Sequence, residues 1–450
     1  MDKISQLPDD VLVKVLSFLP TKDAASTSIL SKRWEFLWMW LPKLDYNYSD
    51  YSVSQGRSLQ RFIDLNLPLH QAPIIESLRL KFSHGAIGSI KPEDIEKWLS
   101  VAFHFCVLEL NLELSSFARR KTKLPSSLYV CKSIVILKLE DEVLVDVHRM
   151  VCLPSLKTLS LRRVTYSVEN SLHRLLSNCP VLEDLFVERD NIDNLGILRV
   201  IVKSLQRLTL KMSSPCYLDG IMINTPSLKY LNVTDERLES DSDNESDSDS
   251  PRYSYSFEDM PKLEEAGFVL TFQNIKKFFT TITSVKRLSL CLGVYTEEVE
   301  SFCYHVLQAL YHEGIVFNQL EHLKICSCDS SWSILLARLL KDYPNLREIE
   351  ANLIDDHPDR LADLPNDWDR QLNNCVPRCL LSSVETFKWT DMYGLRNQMD
   401  VAKYILRNGR CLKTATILFA SCYHQETVDE MTQELSLSFL GSTTCQLLFA

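Results

Sequence analysis

The sequence predicts an α/β solenoid of stacked strand-and-helix repeats, an irregular horseshoe, with a small all-α unit at its N-terminal end and an α+β unit capping its C-terminal end. Three observations carry that expectation. One short apolar pattern recurs eleven times between Ile75 and Ala351. At 450 residues the chain is too long for one ordinary hydrophobic core. Its composition, 45% apolar and 24% charged, is that of a folded chain rather than a disordered one.

The first 45 residues form the helical unit. Leu7-Pro8 opens a first helix, where a proline is tolerated because early helical N–H groups lack acceptors. Val11, Leu12, Val15, Leu16 and Leu19 follow at helical spacing, and Pro20 stops the stripe. Thr21 or Asp23 can cap a second helix and Ser31 a third that presents Trp34, Leu37, Trp38 and Leu41. Trp34, Trp38 and Trp40 give such a small cluster more aromatic area than it can easily bury. The surplus must face the next domain, as a cap on the first repeat, or a partner protein.

The string from Leu7 to Trp38 resembles the F-box motif, through Leu7-Pro8, Val11-Leu12, Val15-Leu16, Leu19-Pro20, Ser28 to Leu30 and Ser31-Lys32-Arg33-Trp34. That resemblance implies docking to a Skp-type adaptor, and through it to cullin and RING subunits. It places Leu7, Pro8, Leu12, Ile29 and Leu30 on the docking surface, with Trp34 and Trp38 holding the helices together or joining them to the neighbouring domain.

Residues 70–354 carry the repeats. In the pattern apolar-x-x-apolar-x-apolar, as in Leu156/Leu159/Leu161 or Leu182/Leu185/Val187, the last two positions share one face of a short strand. Middle positions are spaced like leucine-rich repeats: Leu137 to Leu159 is 22 residues, whereas Leu231 to Ala266 is 35 and needs an insertion. A strand this short cannot bury its apolar side alone, but stacked neighbours make one long core. Helical segments such as Leu172–Leu176 and Ile334–Leu340 are expected on the other side, ended by Pro180 and Pro344. The repeats are irregular and lack the regular asparagine turn. They resemble those of plant F-box proteins with degenerate leucine-rich repeats; a mixed α/β domain is the competing reading.

Residues 355–374 read as a polar linker. Beyond them Val384/Phe387/Trp389 and Leu412/Ala415/Ile417 repeat the strand pattern around a helix ending at Asn408-Gly409. The opening Val376-Pro377-x-Cys379-Leu380, with Glu385-x-Phe387-x-Trp389 and Ala402-x-Tyr404-Ile405-Leu406, closely resembles the FBD domain, over about residues 366–440. Residues 441–450 complete the cap, which a solenoid needs to cover its last repeat.

Residues 235–256 are expected to be an acidic, disordered loop between repeats. From Asp235 to Ser250 eight acidic residues are interleaved with five serines, too little apolar area to offset the entropy of ordering. Ser242, Ser246, Ser248 and Ser250 suit an acidophilic kinase.

Other chemistry is disfavoured. A net charge of −10 argues against nucleic acid as the main partner. Only 11 glycines occur, with no phosphate-cradling glycine string, and no H-E-x-x-H motif is present. No signal peptide or membrane span is expected, so the 14 cysteines, among them Cys106, Cys152 and Cys291, read as reduced and mostly buried in the nucleus and/or cytoplasm. No metal or cofactor is expected. Cys326-Ser327-Cys328 is too tight for the usual zinc spacer, and Cys375, Cys379, Cys411, Cys422 and His424 make only a loose cluster with apolar neighbours. Cys422 with His424 lacks a third group to orient a base, and no catalytic-domain-sized segment stands outside the repeats.

The reading is therefore a non-catalytic substrate receptor of a Skp–cullin–F-box ubiquitin ligase, presenting an unidentified protein target on its outward strand residues. Candidates are Lys157 and Ser160; Arg207 and Thr209; Lys229, Tyr230 and Asn232; and Lys286, Arg287 and Ser289. A repeat scaffold without a ligase, or a receptor responding to a small molecule in a concave pocket, is the alternative.

Overall fold

The computed structural model describes residues 4–48, 56–82, 90–115, 121–147, 150–189, 193–213, 219–235, 254–269, 281–291, 317–328, 332–353, 375–422 and 424–449. The chain packs as two compact units, Met1–Thr225 with Ser250–Ser256, and Pro226–Asp249 with Phe257–Ala450.

The first unit opens with helices α1 (Asp9–Leu16) and α2 (Thr21–Ser26). Pro8 and Pro20 stand at their N-caps with extended backbone, so each proline sets where its helix begins. The third helix expected after Ser31 is instead a set of turns ending in a 3-10 segment, Leu37–Trp40. Leu37, Trp38 and Met39 are all buried, and three consecutive inward side chains do not fit the stripe of an amphipathic α-helix.

The next element was not foreseen. Strand β1 (Lys43–Asn47) alternates Leu44 and Tyr46 inward and pairs in parallel with β2 (Ser77–Phe82), Leu44 facing Leu78 and Tyr46 facing Leu80. The boundary expected at residue 45 thus falls inside a strand. Helices α3 (Gly56–Asn66) and α4 (Pro92–Ala102) precede and follow β2 in the chain. Strands β3 (Glu109–Leu114), β4 (Ile136–Asp141), β5 (Thr158–Arg162), β6 (Asp184–Arg189) and β7 (Arg207–Met212) continue the parallel sheet. Each predicted apolar pair faces the next in register and is buried, for example Leu137, Leu159, Leu185 and Leu208.

Behind this sheet the expected helices are few. Helix α5 (Ser171–Leu176) forms where Leu172, Leu175 and Leu176 predicted it. Elsewhere short strands replace them. Thr122–Lys123, Val143–Val145 and Thr165–Tyr166 make one lateral sheet, and Ile197–Ile201 pairs with Gly220–Asn224 in another. Runs such as Val143-Leu144-Val145 and Ile197-Leu198-Arg199-Val200-Ile201 are rich in β-branched residues, which favour an extended backbone.

The second unit repeats the scheme through β8 (Tyr230–Asp235), β9 (Glu265–Val269), β10 (Arg287–Cys291), β11 (His322–Cys326), β12 (Glu348–Asn352), β13 (Thr386–Met392), β14 (Thr414–Phe419) and β15 (Gln446–Phe449), all parallel. Its helices are α6 (Trp332–Asp342), α7 (Arg378–Ser382), α8 (Arg396–Asn408) and α9 (Gln425–Ser436). Trp389 packs edge-on against Trp332 at 5.5 Å, which ties the C-terminal strands to the last repeat helix. Gly394 has φ +65°, and a Cβ there would strike Met431 of α9.

Backbone amides take the place of the missing asparagine turn. Just before each strand one N–H donates to the equivalent carbonyl of the preceding repeat: Lys286 to Glu264, Glu321 to Lys286, Arg347 to Glu321, Glu385 to Arg347 and Lys413 to Glu385, all at 2.7–2.9 Å. The same amide ladder therefore continues into β13 and β14, whose pairing shifts register only between Trp389 and Met392.

The acidic segment needs a correction at both ends. Asp235 is the buried last residue of β8, and Ser254–Phe257 is a strand beside Gly220–Asn224. Alternating residues such as Tyr253, Tyr255 and Phe257 signal that strand. Ser242, Ser246, Ser248 and Ser250 lie outside the described residues, as does the expected linker at 355–374.

Candidate functional site

Two surfaces separate in the structure, an apolar one on the N-terminal helical unit and a charged one on the strand faces. The helical unit fills its own core with Leu12, Leu16, Ala24, Trp34, Leu37 and Trp38, all buried. Trp38 also reaches Phe62 of α3, with ring centroids 6.1 Å apart. Outside remain Ile29 at 87% exposure, Phe18 at 81% and Leu30 at 65%, with Val15 and Trp40 about half exposed. Leu7 is half-buried and Pro8 exposed. Leu12 departs from the expectation, because at 0% exposure it supports this surface from beneath and cannot face a partner.

Several contacts hold the apolar residues in place. Arg33 donates to Asp9 through Nε at 2.9 Å and Nη2 at 2.7 Å, and its Nη2 also bonds the Leu7 carbonyl. This clamps the start of α1 onto the turn just after Ile29 and Leu30. Thr21 accepts the Asp45 N–H at 2.8 Å, fastening α2 to β1.

On the first unit's strand face, Ser160 faces Lys138 and Phe186 in register, with Thr209 next, and Arg207 lies beside Asp184. Lys157 is paired with Glu183 at 3.1 Å, and Arg207 approaches Asp184 at 3.9 Å. The densest polar feature was not anticipated. Arg163, at φ +50°, bonds Glu140 at 2.6 Å, Asp141 at 2.7 Å and Glu188 at 2.8 Å, spanning three repeats, while Arg162 lies 4.6 Å over the Phe186 ring. Burial opposes the charge, but Asp141 and Glu188 beside the guanidinium hold Arg163 firmly protonated. The doubled arginine directly after Leu161 was the available signal.

On the second unit, Tyr230 faces Glu265, which faces Arg287, while Asn232 lies across from Gly267 and Ser289. All are half-buried or exposed, as are Lys229 and Lys286. The basic group is balanced by its neighbours. The amide ladder orders Lys229, Glu264, Lys286, Glu321, Arg347, Glu385 and Lys413, an unbroken alternation of sign. Lys413 bonds Glu385 at 2.6 Å and draws its carboxyl below the usual range. One row further along, Glu350 lies between Lys324 at 2.8 Å and Lys388 at 3.8 Å.

The loose cysteine cluster does not assemble. Cys379 is buried with its thiol on the Leu340 carbonyl, Cys411 bonds Leu381, and Cys375 and Cys422 are exposed. Cys152 is likewise exposed, contrary to expectation. Among the described residues one group of three potential ligands does converge, Cys291 with Cys326 and Cys328. Sequence spacing had set the last two aside, because the third thiol arrives through strand register. Among the described residues, no helix is long and apolar enough to cross a membrane.

Stacked parallel repeats with a varied charged face, together with a helical unit of apolar exterior, define a repeat protein of the leucine-rich type. Comparison with known proteins sharpens this. The F-box domain family matches residues 4–46, the LRR repeats of FBD-associated F-box protein At5g56370 match 95–309, and the FBD family matches 371–417. The chain is 73% identical over 451 residues to the Arabidopsis thaliana F-box/FBD/LRR-repeat protein At4g00315, covering all of both chains. It is 75% identical over 306 residues to F-box/LRR-repeat protein At1g55660 of the same plant, covering 68% of this chain and 84% of that one. FBD-associated F-box protein At4g10400 is 47% identical over the full length of both. The chain belongs to the plant F-box/FBD/LRR-repeat protein family.

Proposed function

We propose that this chain is a non-catalytic substrate-recognition subunit of a Skp–cullin–F-box ubiquitin ligase. The F-box unit docks a Skp-type adaptor, and the strand faces present a protein target, in the nucleus and/or cytoplasm. The observation that carries this is the apolar set Phe18, Ile29 and Leu30, left outside a unit whose core is already full. Ubiquitin transfer would be accelerated by proximity and orientation, with no proton moved by this chain.

The FBD unit, on this reading, serves as the cap of the repeats, since β13 to β15 extend the same parallel sheet. A small-ligand reading has less support. A pocket of about 270 Å³ lies among Ser126, Ser127, Tyr129, Val130 and Met150, but the Tyr129 hydroxyl is already engaged by the Asp146 N–H.

Co-purification of the full chain with a Skp-type adaptor tests docking. Ile29→Asp with Leu30→Asp should abolish it while leaving the circular dichroism spectrum unchanged, because both side chains already face solvent. Two buried aliphatic contacts are worth about 3–6 kcal/mol together, so affinity should fall by roughly 10²–10⁴-fold. Undiminished binding by that variant, or none by the wild type, overturns the proposal.

A further inference from the structure

Strand alternation makes the positions of Cys291 and Cys326 unusual. On β10 the residues sharing its parity are Arg287 and Ser289, and on β11 they are His322 and Lys324. Those are polar, outward positions. Yet Cys291 is 2% exposed and Cys326 4%, the next rung after Leu290 facing Ile325. Cys328, two residues on, turns back so that its sulfur lies 3.5 Å from that of Cys291. All three sulfurs lie within 4.8 Å of one another.

We propose that Cys291, Cys326 and Cys328 form a three-thiolate binding site for a thiophilic closed-shell metal ion, zinc(II) or copper(I). Metal–sulfur bonds of about 2.3 Å require sulfur–sulfur edges of about 3.8–4.0 Å in tetrahedral or trigonal geometry. The observed spread brackets that range, so binding needs only small rotations of side chains. A disulfide would require one pair to close to about 2.05 Å and would leave the third thiol unused. Among the described residues the converging donors are three thiols, which select soft ions over magnesium or calcium.

The turn carrying Cys326 and Cys328 is also fixed in place. Ser327 between them donates its N–H to the Asn352 carbonyl at 2.8 Å, and its hydroxyl accepts Gln398 Nε2 of α8 at 3.3 Å. The Gln398 carbonyl oxygen in turn accepts the Tyr393 N–H at 3.0 Å. Such outer contacts pre-set ligand geometry before the ion arrives. The metal ligand is the thiolate, so each thiol that ligates releases its proton to solvent as its metal–sulfur bond forms. Affinity therefore falls as pH is lowered. Copper(I) is satisfied by three thiolates, whereas zinc(II) takes a fourth donor such as water.

The test uses the full chain purified anaerobically without chelator. Elemental analysis, with cadmium titration followed by the ultraviolet thiolate-to-metal band, should show one ion per chain. Competition against a zinc indicator and against bicinchoninate identifies which ion is held more tightly. Cys326→Ser and Cys328→Ser should each lose the one-equivalent band, while Cys379→Ser, a buried single thiol in the same unit, keeps it. Should a serine variant fail to fold, alkylation of the wild type decides. Metal should slow labelling of Cys291, Cys326 and Cys328 and leave Cys411 unaffected. Absence of stoichiometric metal binding, equal binding by Cys326→Ser, or a Cys291–Cys328 disulfide in anaerobic protein overturns the proposal. None of these outcomes depends on adaptor docking.

Discussion

Removing Asp193 should be among the most damaging single changes to the first unit. Arg189 ends β6 at 1% exposure, and Asp193 is 6% exposed. Their bonds are bidentate, Nε to Oδ2 at 2.5 Å and Nη2 to Oδ1 at 2.8 Å. The same Nη2 donates to the Leu195 carbonyl at 2.6 Å, and Asp193 Oδ1 accepts the Leu195 N–H at 3.0 Å. Through its backbone carbonyl Asp193 also accepts the Tyr166 N–H at 2.9 Å, joining two lateral layers. Asp193→Ala strips a buried guanidinium of its bidentate carboxylate, a loss of about 3–5 kcal/mol. With a urea m-value of about 3 kcal/mol/M, the unfolding midpoint should fall by about 1–1.7 M. Circular dichroism against urea measures it. The double variant Arg189→Met with Asp193→Leu removes both charges and should recover most of that loss. A midpoint shift under about 0.3 M for Asp193→Ala, or a double variant as unstable as the single, refutes the reasoning.

Two further predictions concern other parts of the chain. His70 is buried edge-on to Phe105 at 5.3 Å, and burial lowers its pKa from the ordinary 6.5 to about 4. The unfolded chain then binds the extra proton first, so stability present above pH 6.5 is lost as pH falls towards 4. His70→Phe should flatten that part of the stability–pH curve, and equal slopes in wild type and variant would contradict it. At Gly394, Gly394→Ala should destabilise the second unit by about 1–3 kcal/mol, from a strained φ and the clash with Met431. Adding Met431→Ala should relieve only the clash, which thermal unfolding can separate.

How much of this was legible in the sequence depends on the range of the interaction. The Leu-x-Leu pairs were readable because burial on one strand face imposes a local two-residue period. Leu44 and Tyr46 obey the same rule, but their position beside the helical motif hid them. The lateral strands were missed because Val143–Val145 is too short to show any period. Leu12 differs for a related reason: a helical stripe shows which residues are apolar, not which of them the rest of the unit covers. The Arg163 cluster and the three converging cysteines arise from register between strands far apart in sequence, which no local pattern encodes.

Strand β1 has a consequence for how such a chain can diversify. Because the last element of the helical unit is hydrogen-bonded into the sheet as its first strand, the two have no tether between them that could be lengthened. Reach and aim are set like those of a bracket bolted to a wall: inserting one residue between Leu41 and Lys43 would shift Leu44 and Tyr46 out of the core rather than extend the arm. On this plan the outward strand residues can be exchanged with the mounting left as it is.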